Sequence, residues 1–217
     1  MTARPIAVFP LPGVVLFPGA VLPLHIFEPR YRAMTREALS SGGEIAMALL
    51  RPGLRSDPGA SGPAPVHEIG CAGRMQNVQP LPDGRFLFEL QGTTRVRFES
   101  WTQDNPWRIA LCRELPEIVP DAGNAEARAT ERRLALAWQG VQAALSNSEG
   151  PLALEQAGPL DLTVNRICFA LGLDPETRQK LLVESRIIER ARVLETALAS
   201  LERALASRPA PEPRWVN

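Results

Sequence analysis

The chain opens on Ile6-Ala-Val-Phe-Pro-Leu-Pro-Gly-Val-Val-Leu-Phe-Pro-Gly-Ala-Val-Leu-Pro-Leu-His-Ile-Phe-Glu-Pro-Arg-Tyr31. No other stretch limits the fold so tightly. A backbone without an N–H cannot sit inside a helix or a central strand, so proline is held to strand starts, edges and bulges. Prolines 10, 12, 18, 23 and 29, with glycines 13 and 19, therefore cut this apolar run into short extended pieces. It is too interrupted for a long helix, a signal-peptide core or a membrane span.

Strand patterning continues to residue 115. Val21 to Phe27 reads as extended. Glu28-Pro29 then opens a short helix with proline at its first position, and Tyr31, Met34 and Ala38 follow at helical spacing. Ser40-Ser-Gly-Gly43 ends it, and Glu44 to Leu50 is a strand. Arg51 to Pro65 is a Pro- and Gly-rich loop, read as mobile. Val66 to Val78 is a long strand with bends at Gly70 and Gly73. Leu81-Pro-Asp-Gly84 is a turn. Beyond it, Phe86, Phe88 and Leu90 share one face, and Arg85, Leu87 and Glu89 the other. Gln91-Gly-Thr-Thr94 predicts a hairpin into a strand with Val96 and Phe98 inward and Arg95, Arg97 and Glu99 outward. Trp107 to Leu115 is the next strand, with Ile109, Leu111 and Arg113 on one face. Six or seven strands and one short helix suit a closed or nearly closed barrel.

From Asn124 the period changes. Leu134, Trp138, Val141 and Leu145 form one helical stripe. Leu160 to Leu173 predicts a helix capped by Asp161, and Asp174-Pro175 caps and opens another. Ile187, Ala191, Leu194, Leu198, Leu201 and Leu205 make a heptad seam. This seam either completes a bundle against the Trp138 stripe, the favoured reading, or joins two chains as a homodimer. Arg208 to Asn217 reads as a disordered tail.

Three motif groups resemble the Lon protease N-terminal (substrate-binding) domain family. The first is Phe9-Pro-Leu-Pro12, Leu16-Phe-Pro-Gly19, Leu22-Pro-Leu24 and Ile26-Phe-Glu-Pro-Arg-Tyr31. The second is Glu68-Ile-Gly70, Leu81-Pro-Asp-Gly84 and Gly92-Thr-Thr-Arg95. The third, in the helical part, is Leu160-Asp161, Leu173-Asp-Pro175, Lys180-Leu-Leu182 and Glu189-Arg190. The resemblance implies an α+β fold: an N-terminal PUA-like pseudo-β-barrel with one short helix over residues 1–118, then a C-terminal α-helical bundle over 119–207, with 208–217 as tail. It also implies a non-catalytic module, in the cytoplasm, that binds unfolded or damaged polypeptides or a protease/ATPase partner protein.

The residues themselves argue against catalysis. A phosphate loop needs closely spaced glycines and a lysine, yet Lys180 is the sole lysine and its neighbours do not fit. A serine–lysine pair fails too, because Ser185 lies about 140° around a helix from Lys180. His67 and Cys71 sit roughly 13 Å apart along a strand, too far for one metal. His67 reads as a surface residue and His25 as a hydrogen-bonded structural one. Cys71, Cys112 and Cys168 read as buried reduced thiols. No catalytic group, metal ligand or cofactor is assigned. Glu28 and Glu68 are ion-pair candidates for Arg30 or Arg95, with Glu28 or Arg95 expected to pin the first helix.

Binding then falls to surface. The candidates for polypeptide contact are Phe17, Tyr31, Met34, Met47, Met75, Trp101 and Trp107, although any one of the first five is more readily core. The alternative function is RNA binding through Arg85, Arg95 and Arg97. Glu89 and Glu99 dilute that face. The chain carries 24 basic and 24 acidic residues, so bulk charge attracts neither nucleic acid nor membrane.

Overall fold

The computed structural model describes residues 3–52, 64–104, 106–121, 123–145 and 159–206, excluding the side chains at 144, 145 and 206. Residues 53–63 of the expected loop and the expected tail 208–217 lie outside this set. The elements run β1 (Arg4–Leu11), β2 (Val21–Ile26), α1 (Pro29–Ser40), β3 (Glu44–Leu49), β4 (Ile69–Pro80), β5 (Phe86–Gln103), β6 (Arg108–Leu115), α2 (Ala125–Leu145), α3 (Leu160–Ala170), α4 (Pro175–Val183) and α5 (Ile187–Ala206). The class is α+β.

Local chemistry sets several boundaries. Pro29 occupies the first turn of α1, after an extended Glu28 that makes no side-chain cap. Gly43, at φ +72, turns back so that its N–H reaches the Ala38 carbonyl at 2.7 Å. Asp174 caps α4 by accepting the Thr177 N–H at 3.0 Å, and this bonding holds its carboxyl below the usual range. Asp161 does not cap α3. The cap position is Pro159, and Asp161 sits within the first turn.

The sheet closes on itself. β1 pairs parallel with β3 and antiparallel with β6. The β3–β4, β4–β5 and β5–β6 pairs are antiparallel and complete a five-strand ring. β2 attaches outside it, along Phe86–Gln91 of β5. The ring is narrow, so its lumen takes small side chains. Ala46, Ala48, Ala72, Ala110 and Cys112 fill it, with Ile6, Val8, Val96 and Phe98.

The expected hairpin at Gln91–Thr94 is not formed. β5 is one 18-residue strand that passes straight through this segment. Instead, Thr93 bulges: Gly92 faces Gly73 while Thr94 faces Ala72. One extra residue flips the faces, which puts Phe86, Phe88 and Leu90 in the outer core but Val96 and Phe98 in the lumen. Gly92 is required because a Cβ there would lie 2.1 Å from the Phe17 carbonyl oxygen. On β6 the expected alternation holds: Ile109 and Leu111 share the less buried face with the exposed Arg113, while Ala110 and Cys112 are buried. In a narrow ring the small residues face in.

Outside the ring, a second core joins sheet to helices. Val15, Leu16 and Phe17, from the proline-punctuated opening, are buried there with Leu160, Val164, Leu181 and Leu182. α2 and α5 run parallel, tied by Arg192–Glu126 at 3.0 Å and Arg133–Glu195 at 2.8 Å. Between them Leu134, Trp138 and Val141 pack with Ile187, Ala191, Leu194 and Leu198. Leu201 and Leu205 are partly buried beside them. The heptad seam is thus used within the chain. The side chain of Leu145 is outside the described residues.

Arg95 marks the joint. Its outward parity on β5 is as read from the sequence, but outward here means toward the helices. It is 2% exposed and donates to the carbonyls of Leu182 (3.0 Å), Val183 (3.1 Å) and Pro116 (2.9 Å). It therefore pins α4, not α1. Among the described residues, Glu28 pairs only locally, with Arg30 at 2.9 Å. Glu117 lies 3.8 Å from Arg95 and also accepts from the fully buried Arg190, which in turn donates to Asn165.

Candidate functional site

Five of the seven expected contact residues are core. Phe17, Tyr31, Met34, Met47 and Met75 are all buried, so none offers a surface in this conformation. Apolar mass in a proline-cut chain is needed first to fill the outer core. Trp101 is exposed, with the Arg108 guanidinium 5.5 Å from its ring centroid. Trp107 is half-buried.

The three arginines of the nucleic-acid reading do not form a face. Arg95 is buried in the sheet–helix joint. Arg85 is engaged with Asp83 at 2.6 Å, and the Arg85 backbone N–H and guanidinium hold that carboxyl below its usual range. Arg97 is exposed but stands beside the Glu99–Arg113 pair. A phosphate-binding surface needs adjoining unpaired cations, and this trio does not supply one.

A different surface gathers exposed apolar side chains. β2 lies at the sheet margin, and its register sets Pro23 opposite Glu89 and His25 opposite Leu87. Val21, Pro23 and His25 alternate to solvent. Just past the strand, Phe27 is 61% exposed, and its ring lies 5.9 Å from that of His25. Leu87 is 38% exposed on the neighbouring strand. A shallow groove of about 370 Å³ runs between them, lined by Pro23, Leu24, His25, Leu87 and Phe88, with Asn77, Gln79 and Glu89 as rim. Asn77 sits at a β4 irregularity with φ +51 and donates to Glu89 at 2.8 Å.

An apolar floor with an amide and carboxylate rim is the chemistry of a contact surface. The titratable groups of the groove are His25 and Glu89, with no serine or cysteine among its lining. His25 is an exposed groove residue. His67 is half-buried, with Nε2 3.2 Å from Glu176. Among the described residues, no group of three or more His, Cys, Asp or Glu side chains is placed to hold a metal. None of the described helices is long and apolar enough to cross a membrane.

Sequence reasoning missed Phe27 and Val21 as surface residues, although a signal was present. Proline inside a strand marks an edge, so the residues alternating with Leu22 and Leu24 had to face out. Leu87 was already on the outward face.

A family model described as the ATP-dependent protease La (LON) substrate-binding domain matches residues 5–200. The Lon protease of Flavobacterium johnsoniae is 25% identical over 201 residues, covering 90% of this chain and 24% of that protein. Lon protease 4 of Sorangium cellulosum is 27% identical over 195 residues, with the same coverage. The chain therefore spans about a quarter of the length of these relatives. Among solved structures, a Lon N-terminal domain protein from Xanthomonas campestris superposes with a TM-score of 0.63 at 21% identity, covering 95% of this chain and 99% of that one. The N-terminal domain of a Mycobacterium avium complex Lon protease gives 0.62 at 17% identity, covering 90% and 98%.

Proposed function

The chain belongs to the Lon substrate-binding domain family, and from this premise we propose that it is a non-catalytic module holding polypeptides on the β2–β5 groove. Its role is client recognition, adaptor or holding work in protein quality control. The single observation carrying this is the groove lined by Pro23, Leu24, His25, Leu87 and Phe88, with the exposed Phe27 ring 5.9 Å from that of His25. Unfolded chains differ from folded ones chiefly in displaying apolar side chains, so a shallow apolar groove with a polar rim takes many sequences. The finer architecture belongs to the same reading: a PUA-like pseudo-barrel over 1–118 and a helical bundle over 119–207. The three buried free thiols suit a reducing cytoplasm.

The test is a titration of the 217-residue chain with an amidomethylated, permanently unfolded lactalbumin. Phe27→Ser with Leu87→Ser removes roughly 1–2 kcal/mol of contact, so affinity falls about tenfold. Both side chains are exposed, so the fold survives. Undiminished affinity in the double variant, or no binding by the parent chain, refutes the proposal.

A further inference from the structure

Two half-buried arginines on consecutive helices have no carboxylate partner. Arg166 lies on α3 and Arg178 on α4, and among the described residues neither enters an ion pair. Their donors go to backbone instead. Arg178 Nη2 donates to the Gly13 carbonyl at 2.8 Å, and Arg166 Nε to the Gly19 carbonyl at 3.4 Å. Gly13 and Gly19 have φ +74 and +76, so a left-handed residue stands at each end of the connection between β1 and β2. Partly desolvating a guanidinium for a carbonyl bond, with no counter-charge, is unfavourable. Two such arginines at the two ends of one segment mark that segment as what the helices hold.

Between the two glycines, Val15, Leu16 and Phe17 are buried, which makes residues 13–19 a strap pressed between sheet and helices. On its sheet side, Gly19 donates its N–H to the Gly92 carbonyl at 2.8 Å, and Gly92 donates to the Ala20 carbonyl at 2.9 Å. On its helix side, α3 approaches so closely that a Cβ at Gly19 would lie 2.6 Å from Leu162 Cδ2. The strap runs straight into β2, with Ala20 alone between Gly19 and Val21. Among the described residues β2 has β5 as its only strand partner. The two walls of the groove, β2 and the first part of β5, therefore converge on the Gly19–Gly92 junction that the helices grip.

We propose that Arg166 and Arg178 are positioning residues for the groove: through the strap, the helices set where β2 lies against β5. Arg166 acts on the end next to β2, and Arg178 anchors the far end. The inference rests on the polypeptide-binding reading and deepens it, since it names how the helical part governs that site. Coupling of this kind is reciprocal, so an occupant that fixes β2 also tightens the strap against α3.

Amide hydrogen exchange and the lactalbumin titration test it, both on the 217-residue chain well below its thermal midpoint. With Arg166→Gln and Arg178→Gln together, the amides of Gly19, Ala20 and Gly92 exchange about tenfold faster, the effect of one lost charge-assisted hydrogen bond on a local opening. The Leu194 and Leu198 amides of α5 keep their rates. Affinity for unfolded lactalbumin falls about fivefold, although neither arginine lines the groove. A purely structural role would speed exchange throughout and leave the affinity of the folded chain intact. Uniformly faster exchange, or strap-selective exchange with unchanged affinity, therefore overturns the inference. The reciprocal measurement needs no variant, so it stands even where the double variant does not fold: saturating lactalbumin slows exchange at Gly19 and Ala20 of the unaltered chain. Binding that leaves those rates unmoved sinks this inference alone, while failure of the unaltered chain to bind sinks the parent reading and the coupling with it.

Discussion

Replacing Glu117 by Gln tests how the sheet holds the helices. Among the described residues, this carboxylate is the only one paired with two arginines that are 0% and 2% exposed. Removing its charge leaves both cations in the joint without a counter-ion. A charge pair about 4 Å apart near a protein surface is worth roughly 4 kcal/mol, and breaking a buried pair costs about 3–5 kcal/mol. The Gln amide oxygen still accepts from Arg190, which returns about 1 kcal/mol. The net expectation is a loss of about 2–4 kcal/mol. For a chain of this size that lowers the thermal midpoint by about 4–16 °C. Circular dichroism melts and urea titrations measure it, with an unchanged urea m-value showing that the unfolding unit is the same. Glu126→Gln is the control. Both Glu126 and its partner Arg192 are more than half exposed, so the midpoint stays within about 2 °C. Equal, small shifts in both variants refute the view that the Glu117 cluster latches the helices to the sheet.

Three further outcomes follow from particular contacts. Gly92→Ala destabilises by about 3 kcal/mol or more, because the new Cβ meets backbone at 2.1 Å. Gly172→Ala, with nothing within 4 Å, is neutral or slightly stabilising, and equal melts for the two variants overturn the bulge account. Burial pushes the Cys112 and Cys168 thiols up to about 12, and Cys71 further, so none reacts with iodoacetamide at pH 8 until the chain unfolds. Below about pH 9 these thiols are protonated in both states and their protection is complete. Above it the unfolded thiols ionise first, so stability falls by about 1.4 kcal/mol per pH unit for each thiol until the folded thiol titrates. Urea midpoints at pH 8 and pH 10 fall less in Cys168→Ala than in the parent chain; parallel slopes refute the assignment.

The two ends of α1 and the cap of α4 were legible because their causes are local, whereas the expected Asp161 cap and Gln91–Thr94 turn were not formed. Pro29 starts α1 through its own ring, Gly43 stops it through its own φ, and Asp174 reaches an N–H three residues away. The heptad seam of α5 and the Trp138 stripe were legible for a related reason: each face is written in one helix period, and together they bury one another. The groove was half-legible, since Leu87 was read as outward while the same alternation along Val21, Pro23, His25 and Phe27 went unread.

Sequence alone indicated a closed or nearly closed sheet followed by helices, since proline spacing and hydrophobic period act over a few residues. Tertiary structure decided which irregularity at Gly92-Thr93-Thr94 was a bulge, because only the approach of the Phe17 carbonyl distinguishes it from a turn. It also decided that Arg95 lies under helices while Phe27 lies in water. Strand parity fixes which side of a sheet a residue takes; what covers that side comes from residues nearly a hundred positions away.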